Sequence, residues 1–262
     1  PDKNTWIALA GLLYPAILFL NLVLFLIWFF KKNIYFLPTL IIIILGMYHH
    51  SRFLQLNPKI SSNISYKDKL KVMSFNVRLF DLYNWNKNAE IKSKIIALIK
   101  DQKPDIVCLQ EYFFDNTLKF LTRENILEEL SFKYYHESFS SESNMNSMFG
   151  LATFSKYPII NKEKIEFNDE KSNHCMWSDI VFKKDTLRVF NAHLGSIRFN
   201  YSDYKIIGGK GHPIRSNQKK PKQNIVNKLK IGFRNRSIQL KKLIPVLQFA
   251  IRPKSKWDVI IP

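Results

Sequence analysis

The sequence predicts an α/β domain preceded by a pair of transmembrane helices, and three observations carry that expectation. Two short apolar runs rich in β-branched and aromatic residues, 70–77 and 105–111, flank a segment of helical periodicity and give a strand–helix–strand unit. Strand-like runs recur at 148–154, 177–182, 186–194 and 257–261, with helical segments between them. Residues 6–30 contain no charged side chain.

That uncharged run is interrupted only by Gly11, Pro15 and Asn21, and at ~1.5 Å per residue it is long enough to span a bilayer. Lys31, Lys32 and Asn33 end it, and a second apolar run at 34–48 extends through His50. Residues 1–50 therefore read as two transmembrane helices, about 6–30 and 34–50. The missing basic start, the length of the run and the second run behind it argue against a cleaved signal peptide. Lys31 and Lys32 favour a cytoplasmic turn and an extracytoplasmic domain, with Lys3, Arg52 and Lys59 competing on the other side. His49 and His50 fall where the second helix leaves the membrane, a boundary position rather than a metal site. Residues 51–68, with Asn57-Pro58 and Ser61-Ser62-Asn63, read as a linker, and a soluble domain begins near Lys69.

In that domain Leu70 to Val77 is the first strand, and its polar end is Asn76. Ile91, Ile95, Ile96, Leu98 and Ile99 mark the helix, closed by Asp101-Gln102-Lys103-Pro104. The second strand ends on Glu111, so the unit brings Asn76 and Glu111 to one edge of a sheet. Residues 116–130 are amphipathic and cover a sheet face. Residues 133–137 form a strand and 138–146 a Ser/Asn-rich loop. Lys183-Lys184-Asp185 is the turn of a hairpin. No repeat at a solenoid period is present.

The 262 residues carry a net charge of +19, which predicts attraction to nucleic acid or anionic membrane. The excess is concentrated: residues 204–257 hold 15 Lys and Arg and no Asp or Glu. The first half of that segment reads as a glycine- and lysine-rich loop, and about 223–251 as a basic helix. Two cysteines, Cys108 and Cys175, exclude a disulfide framework, and Cys108 in a core strand acts as a small apolar residue.

Four segments in order resemble one known family: Ser74-Phe75-Asn76-Val77-Arg78, Pro104-Asp105-Ile106-Val107-Cys108-Leu109-Gln110-Glu111, Gly150-Leu151-Ala152-Thr153-Phe154-Ser155-Lys156-Tyr157-Pro158-Ile159, and Val189-Phe190-Asn191-Ala192-His193-Leu194. They are similar to motifs of the endonuclease/exonuclease/phosphatase superfamily. The resemblance implies a four-layer α-β-β-α sandwich and Mg²⁺- or Mn²⁺-assisted hydrolysis of a phosphate ester. It implies Glu111 as metal ligand, Asn76 as amide-oxygen partner of the metal or of a metal-bound water, and His193 as donor to a phosphoryl oxygen. Asn191, two residues earlier on the same strand, supports His193, and Arg78 stands near the phosphate, where some members have an acidic residue. The chemistry is coherent: a divalent ion screens the anionic ester, and Mg²⁺ needs few carboxylates because it keeps several waters. Arg236 and Gln239 match a helix pair of the family and read as structural.

The family pattern continues after a strand such as 257–261 with Gly-Asp-Phe-Asn and later a Ser-Asp-His-like motif, and neither is present. With Pro1 at the start and Pro262 at the end, the expectation is a sequence cut at both ends, an incomplete sandwich and no activity from this stretch alone. The expected substrate is nucleic acid, phospholipid or inositol phosphate, with membrane lipid as a further contact and no obligate protein partner evident. The competing reading is a non-catalytic, membrane-tethered module that binds nucleic acid or anionic lipid through residues 204–257.

Overall fold

The computed structural model describes residues 5–53, 69–83, 90–117, 120, 122–140, 147–167, 172–197, 199, 203, 225–250 and 258–260. The chain divides into two compact units, the first ending at Lys69 and the second beginning at Leu70.

The first unit is helical, but neither expected helix is continuous. α1 (Thr5–Leu12) and α2 (Tyr14–Phe30) are bent by 56° relative to each other. Pro15 explains the break: it has no N–H to donate, and its ring would clash with the carbonyl of Gly11 in an unbroken helix. α3 (Phe36–Leu45) ends at Gly46 and α4 (Met47–Phe53) follows. A Cβ at Gly46 would come within 2.6 Å of the His50 ring, so glycine lets that ring fold back over the break. Among the described residues no single helix is long and apolar enough to cross a membrane, although the bent pair α1–α2 meets both conditions together. Residues 54–68, most of the expected linker, lie outside the described residues.

The second unit is mixed α/β with two four-stranded sheets. One contains β1 (Val72–Asn76), β2 (Ile106–Asp115), β3 (Tyr134–Phe139) and β4 (Ser147–Ser155), in the order β1-β2-β4-β3. The other contains β5 (Ile159–Glu166), β6 (His174–Phe182), β7 (Asp185–Ala192) and β8 (Asp258–Ile260), in chain order. β1 and β2 are parallel and need the crossover that α5 (Ile91–Gln102) supplies. Lys103, left-handed at φ 48°, closes α5 immediately before Pro104.

The layers are held by distinct apolar clusters. Ile96 and Ile99 of α5, with Ile126 and Leu130 of α6 (Thr122–Leu130), pack on Val107, Leu109 and Phe154 of the first sheet. Ile106 and Cys108 meet Ile180 and Val189 between the sheets. Leu243 and Ala250 of α7 (Ile225–Ala250) cover Cys175 and Phe190 on the far face of the second sheet. The order is therefore helices, sheet, sheet, helix. Lys162 and Lys164 of edge strand β5 donate to the carbonyls of Tyr135 and Phe139 on edge strand β3, joining the sheets along one side at 2.6 and 2.8 Å. Burial pushes the Cys108 thiol up to about 12, so it stays protonated and inert.

One strand is added and two local expectations change. β5 occupies a stretch for which the sequence predicts no element. β6 starts at His174 rather than Trp177, which brings a second histidine onto the inner face. β2 does not end at Glu111 but continues through Tyr112, Phe113 and Phe114, all buried.

Candidate active site

The site is built where β2 stops being regular. Gln110 pairs with Leu151 and Tyr112 with Gly150, leaving Glu111 as an unpaired extra residue in a β-bulge. Its φ is 50°, a left-handed conformation costly for a residue with a Cβ. The buried residues on both sides hold it there: Leu109 and Tyr112 are fully buried. The bulge places Glu111 on the wall of an open cleft of about 280 Å³, together with His193, His174, Asn173, Ser140 and Leu79.

Asn76 reaches Glu111 from the adjacent strand. Its Nδ2 donates to Glu111 Oε1 at 3.0 Å, while its Oδ1 accepts the backbone N–H of Arg78 at 3.0 Å. This is an Asx turn, and it fixes which way the amide points. The sequence reading gives the amide oxygen to the metal side, whereas here the NH₂ faces the carboxylate. The chain then makes a left-handed turn: residues 78–81 have φ between 46° and 58°. Such a turn costs roughly 1–2 kcal/mol per residue. Phe80, 2% exposed and edge-on to Tyr112 at 6.2 Å, anchors it. Arg78 is exposed at the start of this turn, close enough for its charge to act on Glu111.

His193 comes from the other sheet. Its Nε2 lies 3.4 Å from Glu111 Oε1. Its backbone N–H donates to the carbonyl of His174 at 3.0 Å. The loop after it is tied to α7: Gln239 accepts the N–H of Gly195 at 2.9 Å, and Arg236 donates to the Gly195 carbonyl at 2.8 Å. These two helix residues thus fix the backbone that carries His193. The bond from His193 holds the Glu111 carboxyl below the usual carboxylate range, against the opposing effect of partial burial, with Asn76 and then Arg78 adding to it. Glu111 is therefore ionised at neutral pH.

Asn191 is not in the cleft. At 1% exposure it lies between the sheets. Its Nδ2 donates to the carbonyls of Leu109 and Ala152 at 3.2 and 3.0 Å, and its Oδ1 accepts from Gln110 Nε2 at 2.8 Å. All its polar atoms are used in bridging the sheets, so it positions the strand that carries Glu111 instead of touching a reacting group. Asn76, Glu111 and His193 are brought together; Arg78 stands beside them; Asn191 acts from beneath. Gln110 and His174 were not singled out in the sequence. The alternation His174, Met176, Ser178, Ile180 is the signal that places His174 on the inner face.

His136 and His174 both face the inter-sheet space. His136 Nδ1 pairs with Ser178 Oγ at 2.9 Å, and His174 Nε2 donates to the Ser138 carbonyl at 3.0 Å. Burial, then nearby Lys162 and Lys164 respectively, lowers each to about 4. An unfolded chain with imidazoles near 6.5 takes up more protons than the folded one between those values. Stability is therefore complete above about pH 6.5 and falls as pH drops towards 4. The ionised Glu111 adds a loss at still lower pH. Urea unfolding at a series of pH values checks this, and His136→Asn is expected to flatten the slope.

Among the described residues no group of three or more His, Cys, Asp or Glu is placed to enclose a metal ion. The donor present, one ionised carboxylate on an open cleft wall, fits Mg²⁺ or Mn²⁺, since Mg²⁺ is typically held by one or two carboxylates together with water and substrate oxygens.

Residues 73–232, more than half of the chain, match the Endonuclease/Exonuclease/phosphatase family, and residues 1–53 match a Domain of unknown function (DUF8431). No curated protein matches. Among solved structures, an endonuclease/exonuclease/phosphatase family protein from Leptotrichia buccalis C-1013-b is 14% identical over 55% of this chain and 65% of its own, with a TM-score of 0.39. TDP2 from C. elegans is 15% identical over 75% of this chain and 48% of its own, TM-score 0.46. A D. rerio TDP2 humanized by 14 mutations is 16% identical over 73% and 60%, TM-score 0.45. The chain spans less than two thirds of the length of each of these structures.

Proposed function

This chain belongs to the endonuclease/exonuclease/phosphatase family, and from that premise we propose that its second unit is the core of a Mg²⁺-dependent phosphoric ester hydrolase. The observation that carries the reading is the ionised Glu111, held at 3.0 Å by Asn76 from one strand and at 3.4 Å by His193 from the opposite sheet, on the wall of an open cleft.

In this reading Glu111 holds the divalent ion, with Asn76 fixing the carboxylate. Bound there, the ion would neutralise charge on the phosphoryl oxygens and on the leaving group. His193 lines the cleft, and with the ion on Glu111 its Nε2–H would be given to a phosphoryl oxygen instead of the carboxylate, which gains most where charge builds in the transition state. Arg78, exposed at the cleft margin, attracts the anionic ester before it docks. Asn191 and Gln110 keep the bulge in place. The water-activating Asp–His pair of the family pattern has no counterpart among these 262 residues, so the general base is assigned to none of them.

The substrate class is a phosphate ester on nucleic acid, phospholipid or inositol phosphate, and the choice among them rests with loops rather than with the fold. A second reading, binding without turnover, has one observation in its favour. α7 exposes Arg234, Lys241 and Lys242 beside Ile231, Ile238 and Ile244, a mixed face suited to an anionic surface.

The test is hydrolysis of bis(p-nitrophenyl) phosphate by the complete protein. Turnover that EDTA removes and added Mg²⁺ or Mn²⁺ restores is expected. Turnover unaffected by chelation would overturn the reading, and its absence in folded complete protein would favour the binding module.

A further inference from the structure

We propose that residues 14–50 are a hairpin embedded in the hydrocarbon of a lipid bilayer, with the Tyr14–His50 pair marking one boundary and Lys31-Lys32 the other. This concerns the first unit only and does not depend on the hydrolase reading.

Twenty-one large apolar side chains between Trp6 and Tyr48 are exposed. α1 and α2 have no buried residue, and α3 buries only Thr39. An amphipathic helix that docks on a protein presents one apolar stripe; helices apolar all round need a solvent that is itself apolar. No acidic residue occurs between Lys3 and Lys67, and Lys31 and Lys32 are the only cations between Asn4 and Ser51.

Asn21 Nδ2 donates to the Ile17 carbonyl at 2.9 Å, and Thr39 Oγ1 to the Phe36 carbonyl at 2.8 Å. His50 Nε2 donates to the Ile43 carbonyl at 2.9 Å, which leaves Nδ1 to accept from the Tyr14 hydroxyl. Each of these side chains bonds within the unit although water-facing positions are plentiful. A surface in water does not require this; hydrocarbon does, because an unpaired polar group there has no alternative partner.

α2 has 17 residues, about 25 Å at ~1.5 Å per residue. That is a few Å short of a ~30 Å hydrocarbon core, a mismatch that lysine stems at the tip accommodate. Trp28 and Tyr35 form a ring pair at 5.9 Å beside the Lys31-Lys32 turn, and aromatic rings of this kind gather at the boundary between lipid and water. At the other end the bend at Leu13 turns α1 away from the axis of α2 where the Tyr14–His50 pair closes the hairpin.

The experiment is flotation of the 262-residue chain with uncharged phosphatidylcholine vesicles in about 1 M NaCl, where surface electrostatics are screened out. The chain is expected to float with the vesicles and to remain with them after an alkaline carbonate wash. A fluorophore on Leu22→Cys is expected to be quenched several-fold more strongly by mid-chain brominated lipid than one on Lys32→Cys, the native Cys108 and Cys175 both being buried. Release in high salt would overturn the proposal and point to the basic segment instead. Equal quenching at the two positions would overturn it as well. Hydrolysis is read on the second unit, so failure here leaves that reading untouched.

Discussion

Glu111→Gln is expected to abolish metal-dependent hydrolysis by the complete protein, a loss of at least ~100-fold in kcat, since even residues that only orient a metal ligand cost 10–100-fold when removed. The substitution keeps size and shape but removes the charge. Glu111 is the one carboxylate the bulge delivers to the cleft wall beside Asn76 and His193. The neutral amide still accepts from Asn76 Nδ2, so the fold should be unchanged and the thermal transition should lie within a few degrees of the wild type. Steady-state rates across a Mg²⁺ series separate the possible causes. A lost kcat that excess Mg²⁺ cannot restore is the expected outcome.

The largest stability effect is expected at Asn191. Asn191→Leu removes the side chain that bridges the sheets and leaves Gln110 Nε2 and the Leu109 and Ala152 carbonyls each short of a partner inside the protein. Buried groups deprived of a partner cost roughly 1–3 kcal/mol each. Gln110 keeps its bonds to Ser74 Oγ and the Cys108 carbonyl, and strand pairing retains the carbonyls' other contacts, so about 2–4 kcal/mol in total is expected. Urea unfolding measures it. Because Gln110 immediately precedes the bulge, metal affinity should also fall under conditions where the variant is fully folded. A purely catalytic Asn191 would instead lower kcat without changing the unfolding midpoint.

The contrast between these two residues explains what could be read from the sequence. The strand–helix–strand unit was legible because two short apolar runs flank a segment of 3.6-residue period within 40 residues or so. Asn76, Glu111 and His193 stood in recognisable segments, and the fold brings them within hydrogen-bonding range. The bulge was not legible. Tyr112, Phe113 and Phe114 continue an apolar strand, and nothing local says that one residue before them is left unpaired. The bridging role of Asn191 was not legible for a related reason. Strand alternation tells which face a side chain takes, but not that the opposite sheet presents Gln110 and two carbonyls there. β5 was hidden because an edge strand carrying Lys162, Glu163 and Lys164 has the composition of a loop. In the first unit Pro15 and Gly46 were visible as interruptions. The contact that closes the hairpin, Tyr14 with His50, joins residues 36 apart and has no local signal.

The central claim is that Glu111 holds a divalent ion. Its most direct test is a titration of the 262-residue chain with Mn²⁺, followed by the loss of the free-ion electron paramagnetic resonance signal. The account predicts one Mg²⁺-displaceable ion on the wild type and none on folded Glu111→Gln. Equal binding by both proteins would contradict it.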